Sequence, residues 1–158
     1  MSKTSSADRI REKKKLFLAR EQKIMDAALE LVLKESIDRV TVSKIAAVAG
    51  IGKGTVYKHF LTKNEILARI MLDYERNITN GLAAGIIKAE QGDSGAAAKA
   101  YFEARLARPE LDRLVQQLEV RLVDSADIAG QIEELHQTRR SNEESLSALM
   151  TELIGRDV

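Results

Sequence analysis

The 158-residue sequence predicts an all-α protein, and three observations carry that reading. Apolar residues recur at spacings of three and four through most of the chain, the period of one helix face. There is a single proline, Pro109, and few β-branched runs that would read as strand. The periodic stretches are parted by turn and cap residues such as Gly50, Thr62 and Gly92–Asp93–Ser94–Gly95. Hydrophobic residues make up 44% of the chain but aromatics only 4%, with no Trp, so the predicted core is aliphatic.

Residues 1–19 read as a polar arm in which Arg9, Arg11, Lys13, Lys14 and Lys15, with Arg20 just beyond, are relieved only by Asp8 and Glu12. A first helix covers about 21–35, with Ile24, Ala27, Ala28, Leu31 and Val32 on one face. Thr41 stands where an N-cap belongs, and a second helix runs from Val42 to Ala49. Gly50 ends it in the left-handed position past a helix. A corner of Ile51, Gly52 and Lys53 leads to a third helix reaching about Phe60. Thr62-Lys63-Asn64-Glu65 is a capping box for a fourth helix, which keeps its period through Ile66, Leu67, Ile70, Met71, Tyr74 and Ile78. A fifth helix is expected over about 95–107. Pro109 opens a sixth at a first-turn position, with Leu111, Leu114, Val115, Leu118 and Leu122 as its buried face. A last helix begins near Ser125 or Asp127 and reaches about Ile154.

The absence of cysteine excludes disulfides, thiolate catalysis and cysteine-ligated zinc. No apolar run approaches the ~18 residues of a membrane span, so a soluble, cytoplasmic protein is expected. The net charge of +1 hides an asymmetry. Residues 1–60 carry 13 Lys/Arg against 7 Asp/Glu, and residues 61–158 carry 12 against 17. A basic front and an acidic remainder fit a chain whose front meets nucleic acid.

Residues 41–67 sharpen that reading. The short third helix shows Thr, Tyr, Lys and His among only two large apolar residues, Val56 and Phe60. A polar, basic helix held at an angle by a buried partner suits a DNA major groove. Thr55 and Lys58 project away from Val56 and are candidates for base readout. Tyr57 and His59 are candidates for phosphate contact, as are Lys53 in the corner and Lys63 at the start of the fourth helix. Thr41, Ser43 and Lys44 at the start of the second helix complete the set. Thr41 and Thr62 serve equally as plain caps, and Tyr57 as a packing ring. The arm is either a solvated tail or a further contact for phosphates or the minor groove.

The pieces IMDAALELV, TVSKIAAVAG, GKGTVYKHF and TKNEIL, in this order without gaps, resemble the DNA-binding domain of the TetR family of bacterial transcription regulators. The resemblance covers residues 21–67 and implies a homodimer on a palindromic operator. It also implies release of DNA when a small-molecule effector binds the helical body. On that plan the domains are a basic arm, 1–19, a helix-turn-helix head, 20–65, and an effector-binding and dimerisation body, 66–158. The alternative is a helical DNA-binding or interaction module without ligand response. The chain departs from the family at Gly52, where Ser or Thr is usual. It also ends where the seventh helix of the family plan would end, so a shortened form or a different dimer interface is expected.

GIGKGT does not make a phosphate loop, because no strand precedes it and its Lys stands before the last Gly. His59 and His136 are far apart, and no nucleophile, base and oxyanion site assemble. No enzyme activity, metal or cofactor is therefore expected. In the body, Tyr74, Tyr101, Phe102, His136 and Arg139 are the candidate lining of an effector pocket, with plain core packing or solvent exposure as the alternative.

Overall fold

The computed structural model describes residues 5–156, and all of its regular elements are helical. Residues 1–4 of the expected arm and 157–158 of the expected body lie outside them. The chain divides into two compact units, residues 1–66 and 67–158, with the division inside one helix.

The first unit contains α1 (Ser6–Lys34), a 3-10 turn (Ile37–Arg39), α2 (Val42–Ala49) and α3 (Lys53–Tyr57). It also takes the first turn of α4 (Lys63–Glu90). The arm expected before residue 20 is helix instead. Ser5 accepts from the Ala7 N–H at 3.1 Å, and Asp8 accepts from the Ser5 N–H at 3.2 Å. This capping box starts α1 at Ser6 rather than near residue 21. From there to Ala49 no Gly or Pro interrupts the chain, and the arm's Ala, Arg, Lys, Glu and Leu are good helix formers. Only the second half of α1 has a buried face, made by Ile24, Met25, Ala27, Ala28, Leu31 and Val32. α1 packs on α2, α2 packs on α3, and Val40, Ile45, Ala46, Val56 and Phe60 are all buried in the same unit.

The second unit holds the rest of α4, α5 (Ala96–Leu106), α6 (Pro109–Leu122), a 3-10 turn (Ala126–Ile128) and α7 (Ala129–Arg156). Pro109 stands in the first turn of α6, and the five apolar residues expected to be buried on α6 are buried. Gly85 lets α4 and α5 approach closely. A Cβ there would lie 2.7 Å from Ala100 Cβ, 2.8 Å from Ala96 O and 2.9 Å from Ala97 Cα. Beside this crossing Leu82, Ala89 and Ala97 form a small core, joined by Ile86, Tyr101, Leu146 and Leu149. Leu146 and Leu149 near the end of α7 are thus packed inside the unit, while Met150 is 43% and Ile154 63% exposed.

The core of this unit also holds a charged network. Glu75 is fully buried on α4, and it accepts from Arg139 Nε at 3.1 Å and Asn142 Nδ2 at 3.3 Å, both on α7. Arg105 of α5 reaches it at 3.5 Å. Arg139 also grips Glu119 of α6 through both carboxylate oxygens, at 2.7 and 2.6 Å, and His136 Nε2 lies 3.1 Å from the same carboxylate. Burial opposes ionisation of Glu119, but the hydrogen bonds and charges of Arg139 and His136 prevail and hold its pKa below the usual value. Tyr74 donates its hydroxyl to Asp112, and burial first, then that carboxylate, pushes its phenol pKa well up.

Gly85→Ala tests the close crossing. Two of the three atoms that the new methyl would meet are backbone, so relief requires the helices to part, a cost of about 1–3 kcal/mol. Urea unfolding followed by circular dichroism should show a lower midpoint, and an unchanged midpoint would contradict the packing.

Candidate nucleic-acid interface

The interface is built on the corner between α2 and α3. Gly50 adopts φ 69, ψ 32, a left-handed conformation that costs other residues about 1–2 kcal/mol. Its N–H donates to Ala47 O at 3.2 Å, and the Ile51 N–H donates to Ala46 O at 3.1 Å. These two bonds are the Schellman pattern, which closes the end of α2 and turns the chain. Gly52 then caps α3 in an extended conformation without a side-chain bond, and the Thr55 N–H donates to its carbonyl at 3.0 Å. At the other end of α2, Thr41 Oγ1 accepts from the Lys44 N–H at 3.2 Å, so its hydroxyl is at least a cap.

α3 is pinned by Val56, which is fully buried, and by Phe60 just after it. Around that anchor Lys53, Tyr57 and Lys58 are exposed and Thr55 is half-buried. The Lys53 ammonium lies 5.9 Å over the Tyr57 ring, one turn along the helix. Ser43 is exposed on α2, and the exposed Lys44 pairs with Glu35 at 2.8 Å. That pair is largely in solvent, where it contributes little and can exchange for a phosphate.

Two candidates sit elsewhere. The His59 side chain is 2% exposed. Its ring stacks on Phe17 of α1 at 4.0 Å, and Nδ1 lies 3.4 Å from Glu21. It therefore joins α1 to the end of the recognition segment and offers no free ring to a phosphate. Lys63 turns inward. Its Nζ donates to Ile37 O at 2.9 Å and Val40 O at 3.0 Å, carbonyls of the link between α1 and α2. The expectation of a phosphate contact gives way to a structural clamp, because those carbonyls lack helix partners and an ammonium has three donors to offer. Glu65 supports the same corner by accepting from the Leu61 N–H at 2.7 Å, while its own N–H donates to Thr62 Oγ1 at 3.2 Å.

The pocket candidates in the second unit are dispersed. Tyr74 and Arg139 are committed to carboxylates, His136 to Glu119, and Arg105 lies 5.0 Å over the Tyr101 ring. Phe102 is 59% exposed. A recess of about 160 Å³ opens beside Gly81, Gly85, Lys88 and Lys99, and none of the five candidates lines it. The charged residues of the buried network, Glu75, Arg105, Asp112 and Glu119, are not among the candidates that the sequence suggests. Glu75 has a readable signal, since it falls in the apolar register of α4 one turn after Met71. Among the described residues no group of His, Asp or Glu is arranged to hold a metal, and no helix is long and apolar enough to cross a membrane.

The geometry of the first unit defines a helix-turn-helix head of the kind that binds DNA. Residues 24–70 match the family described as bacterial regulatory proteins, tetR family. Over 50 residues the chain is 40% identical to the HTH-type transcriptional regulator SrpR of Pseudomonas putida, a match that spans 32% of this chain and 24% of that protein. It is also 40% identical over 50 residues to the uncharacterized HTH-type transcriptional regulator TtgW, likewise of Pseudomonas putida, covering 32% of this chain and 37% of that one. The likeness to these relatives is thus confined to about a quarter to two fifths of their length. A solved structure from Shewanella sp. PV-4, provisionally assigned to the tetR family, shares the fold with a TM-score of 0.58 at 20% identity, over 84% of this chain and 69% of the other. The likeness to the TetR family thus lies in the head of this chain, over residues 24–70.

Two substitutions test the head. Lys63→Met removes the clamp, leaves two carbonyls short of a donor and should cost about 1.5–3 kcal/mol of unfolding free energy; a denaturation curve superimposable on the parent's would refute the clamp. Gly52→Ser has room, since a Cβ there meets nothing nearer than Thr55 Oγ1 at 3.9 Å, and the backbone is already that of a cap. It should raise stability by a few tenths of a kcal/mol and tighten DNA binding, which a thermal melt and an anisotropy titration would each register; no gain in either contradicts the capping argument.

Proposed function

We propose that this protein is a transcriptional regulator that represses by holding a palindromic operator as a homodimer and releases it when a small-molecule effector binds the helical body. The observation that carries the DNA-binding half is the presentation of α3. Val56 and Phe60 are buried while Lys53, Tyr57 and Lys58 are exposed around Thr55, in a head that is similar to a family of bacterial regulatory proteins. On this reading Thr55 and Lys58 address base edges, and Thr41, Ser43, Lys44, Lys53 and Tyr57 address phosphates. The protein acts where the bacterial chromosome is, in the cytoplasm.

One observation favours the second reading, a DNA-binding module without ligand response. The recess beside Gly85 is about 160 Å³, below the ~300–1,000 Å³ of ordinary ligand sites. An effector seated in that recess would have to widen it.

The test is selection of preferred duplexes from a random pool by the full chain, followed by titration at two salt concentrations. Specific binding is expected, with log affinity falling by about 0.9 per phosphate contact for each unit of log salt. Tyr57→Ala should weaken all duplexes alike, and Lys58→Ala should relax the preference at the bases it reads, by about 1–3 kcal/mol. A parent chain that prefers no duplex at either salt would sink the proposal.

A further inference from the structure

Residues 6–20 of α1 form a helical extension of about 22 Å that carries no buried residue. It holds six cations, Arg9, Arg11, Lys13, Lys14, Lys15 and Arg20, against two acids, one of which, Asp8, is spent on the helix cap. Among the described residues none of the six cations makes an ion pair or a side-chain hydrogen bond. One feature orients this rod. Phe17 stacks on the buried ring of His59, two residues past the end of α3. Arg9, Lys13, Phe17 and Arg20 follow one another at steps of four, four and three, so they share one face of the helix. Arg11 and Lys15 lie on roughly the opposite face. The stripe that turns toward the end of the recognition segment is therefore basic, and it continues two helical turns beyond the stack.

We propose that the α1 extension is a second DNA-binding element, in which Arg9 and Lys13 contact backbone phosphates of the duplex flanking the site read by α3. The proposal rests on the DNA-binding reading of the head and extends its footprint. Charge complementarity selects the occupant, because a phosphate backbone is what a row of unpaired cations at the edge of a DNA-binding head would meet. A membrane surface fits less well. Ile10, Leu16 and Leu18 are 65%, 49% and 52% exposed, but they point to separate sides of the helix and make no continuous apolar face. The extension is helical before DNA arrives, which spares the ordering cost that a disordered arm carries. His59 takes part by docking: it sets where the rod leaves the head without touching a phosphate itself.

The test compares two charge-matched double variants of the full chain on its selected duplex with long flanks. Arg9→Gln with Lys13→Gln should lower the steepness of log affinity against log salt by about two, and the affinity at 0.15 M salt by roughly thirtyfold. The order of preference among duplexes should be unchanged, as befits phosphate contacts. Arg11→Gln with Lys15→Gln removes the same charge from the other face and should lower the steepness by less than one. An unchanged slope in the first pair, or equal losses in both pairs, would overturn the proposal while leaving the reading of the head intact. Loss of binding to anionic phospholipid vesicles in the first pair, with DNA affinity unchanged, would overturn it in favour of a lipid contact. If the parent chain prefers no duplex at all, the reading of the head fails first and this proposal falls with it. All four residues are exposed and unpaired, so unfolding is not expected, and matching circular dichroism spectra would show it.

Discussion

The corner at Gly50 is the constraint on which the head depends. A left-handed residue between α2 and α3 is needed to turn the chain within three residues, and the two Schellman bonds leave no slack in the angle. Once that angle is set, Val56 reaches the core made by α1 and α2, and the polar residues of α3 are left outside. A helix of five residues has no stability of its own. Its position is held by what surrounds it: Val56 and Phe60 below, Lys63 clamping the link on one side, and the His59–Phe17 stack on the other.

The body is organised by charge as much as by apolar packing. Glu75 is buried, and a buried carboxylate is tolerated only with partners of opposite charge and filled hydrogen bonds. Arg139 supplies both, and by gripping Glu119 as well it ties α4, α6 and α7 to one guanidinium. Such a network contributes modestly to net stability because desolvation offsets its Coulomb energy. It fixes instead which residues face one another, since each alternative register strands a buried charge.

Much of this is legible in the residues themselves. The bounds of α2, the left-handed Gly50, the Thr62 cap, the Pro109 start and the five-residue apolar face of α6 all follow from local chemistry or helical period. The helical arm escapes a reading by apolar periodicity, because an exposed helix needs none. The Ser5–Asp8 cap and the run of good helix formers are the better signal. His59 and Lys63 escape it for a related reason. A polar side chain beside a DNA-binding helix suggests DNA, but whether it is free depends on residues far along the chain: Phe17 and Glu21 for one, Ile37 and Val40 for the other.

By itself, then, the sequence determined most of the helices, the corner and the head, because each of these is written in contacts spanning a few residues. The tertiary structure decided which cations are free. It turned Lys63 into a clamp, paired Lys44 loosely with Glu35, buried His59, and left Arg9 and Lys13 unpaired on the face that meets the recognition segment. The reason is physical: a charge acts on whatever lies within a few ångströms, and only the folded chain determines what lies there.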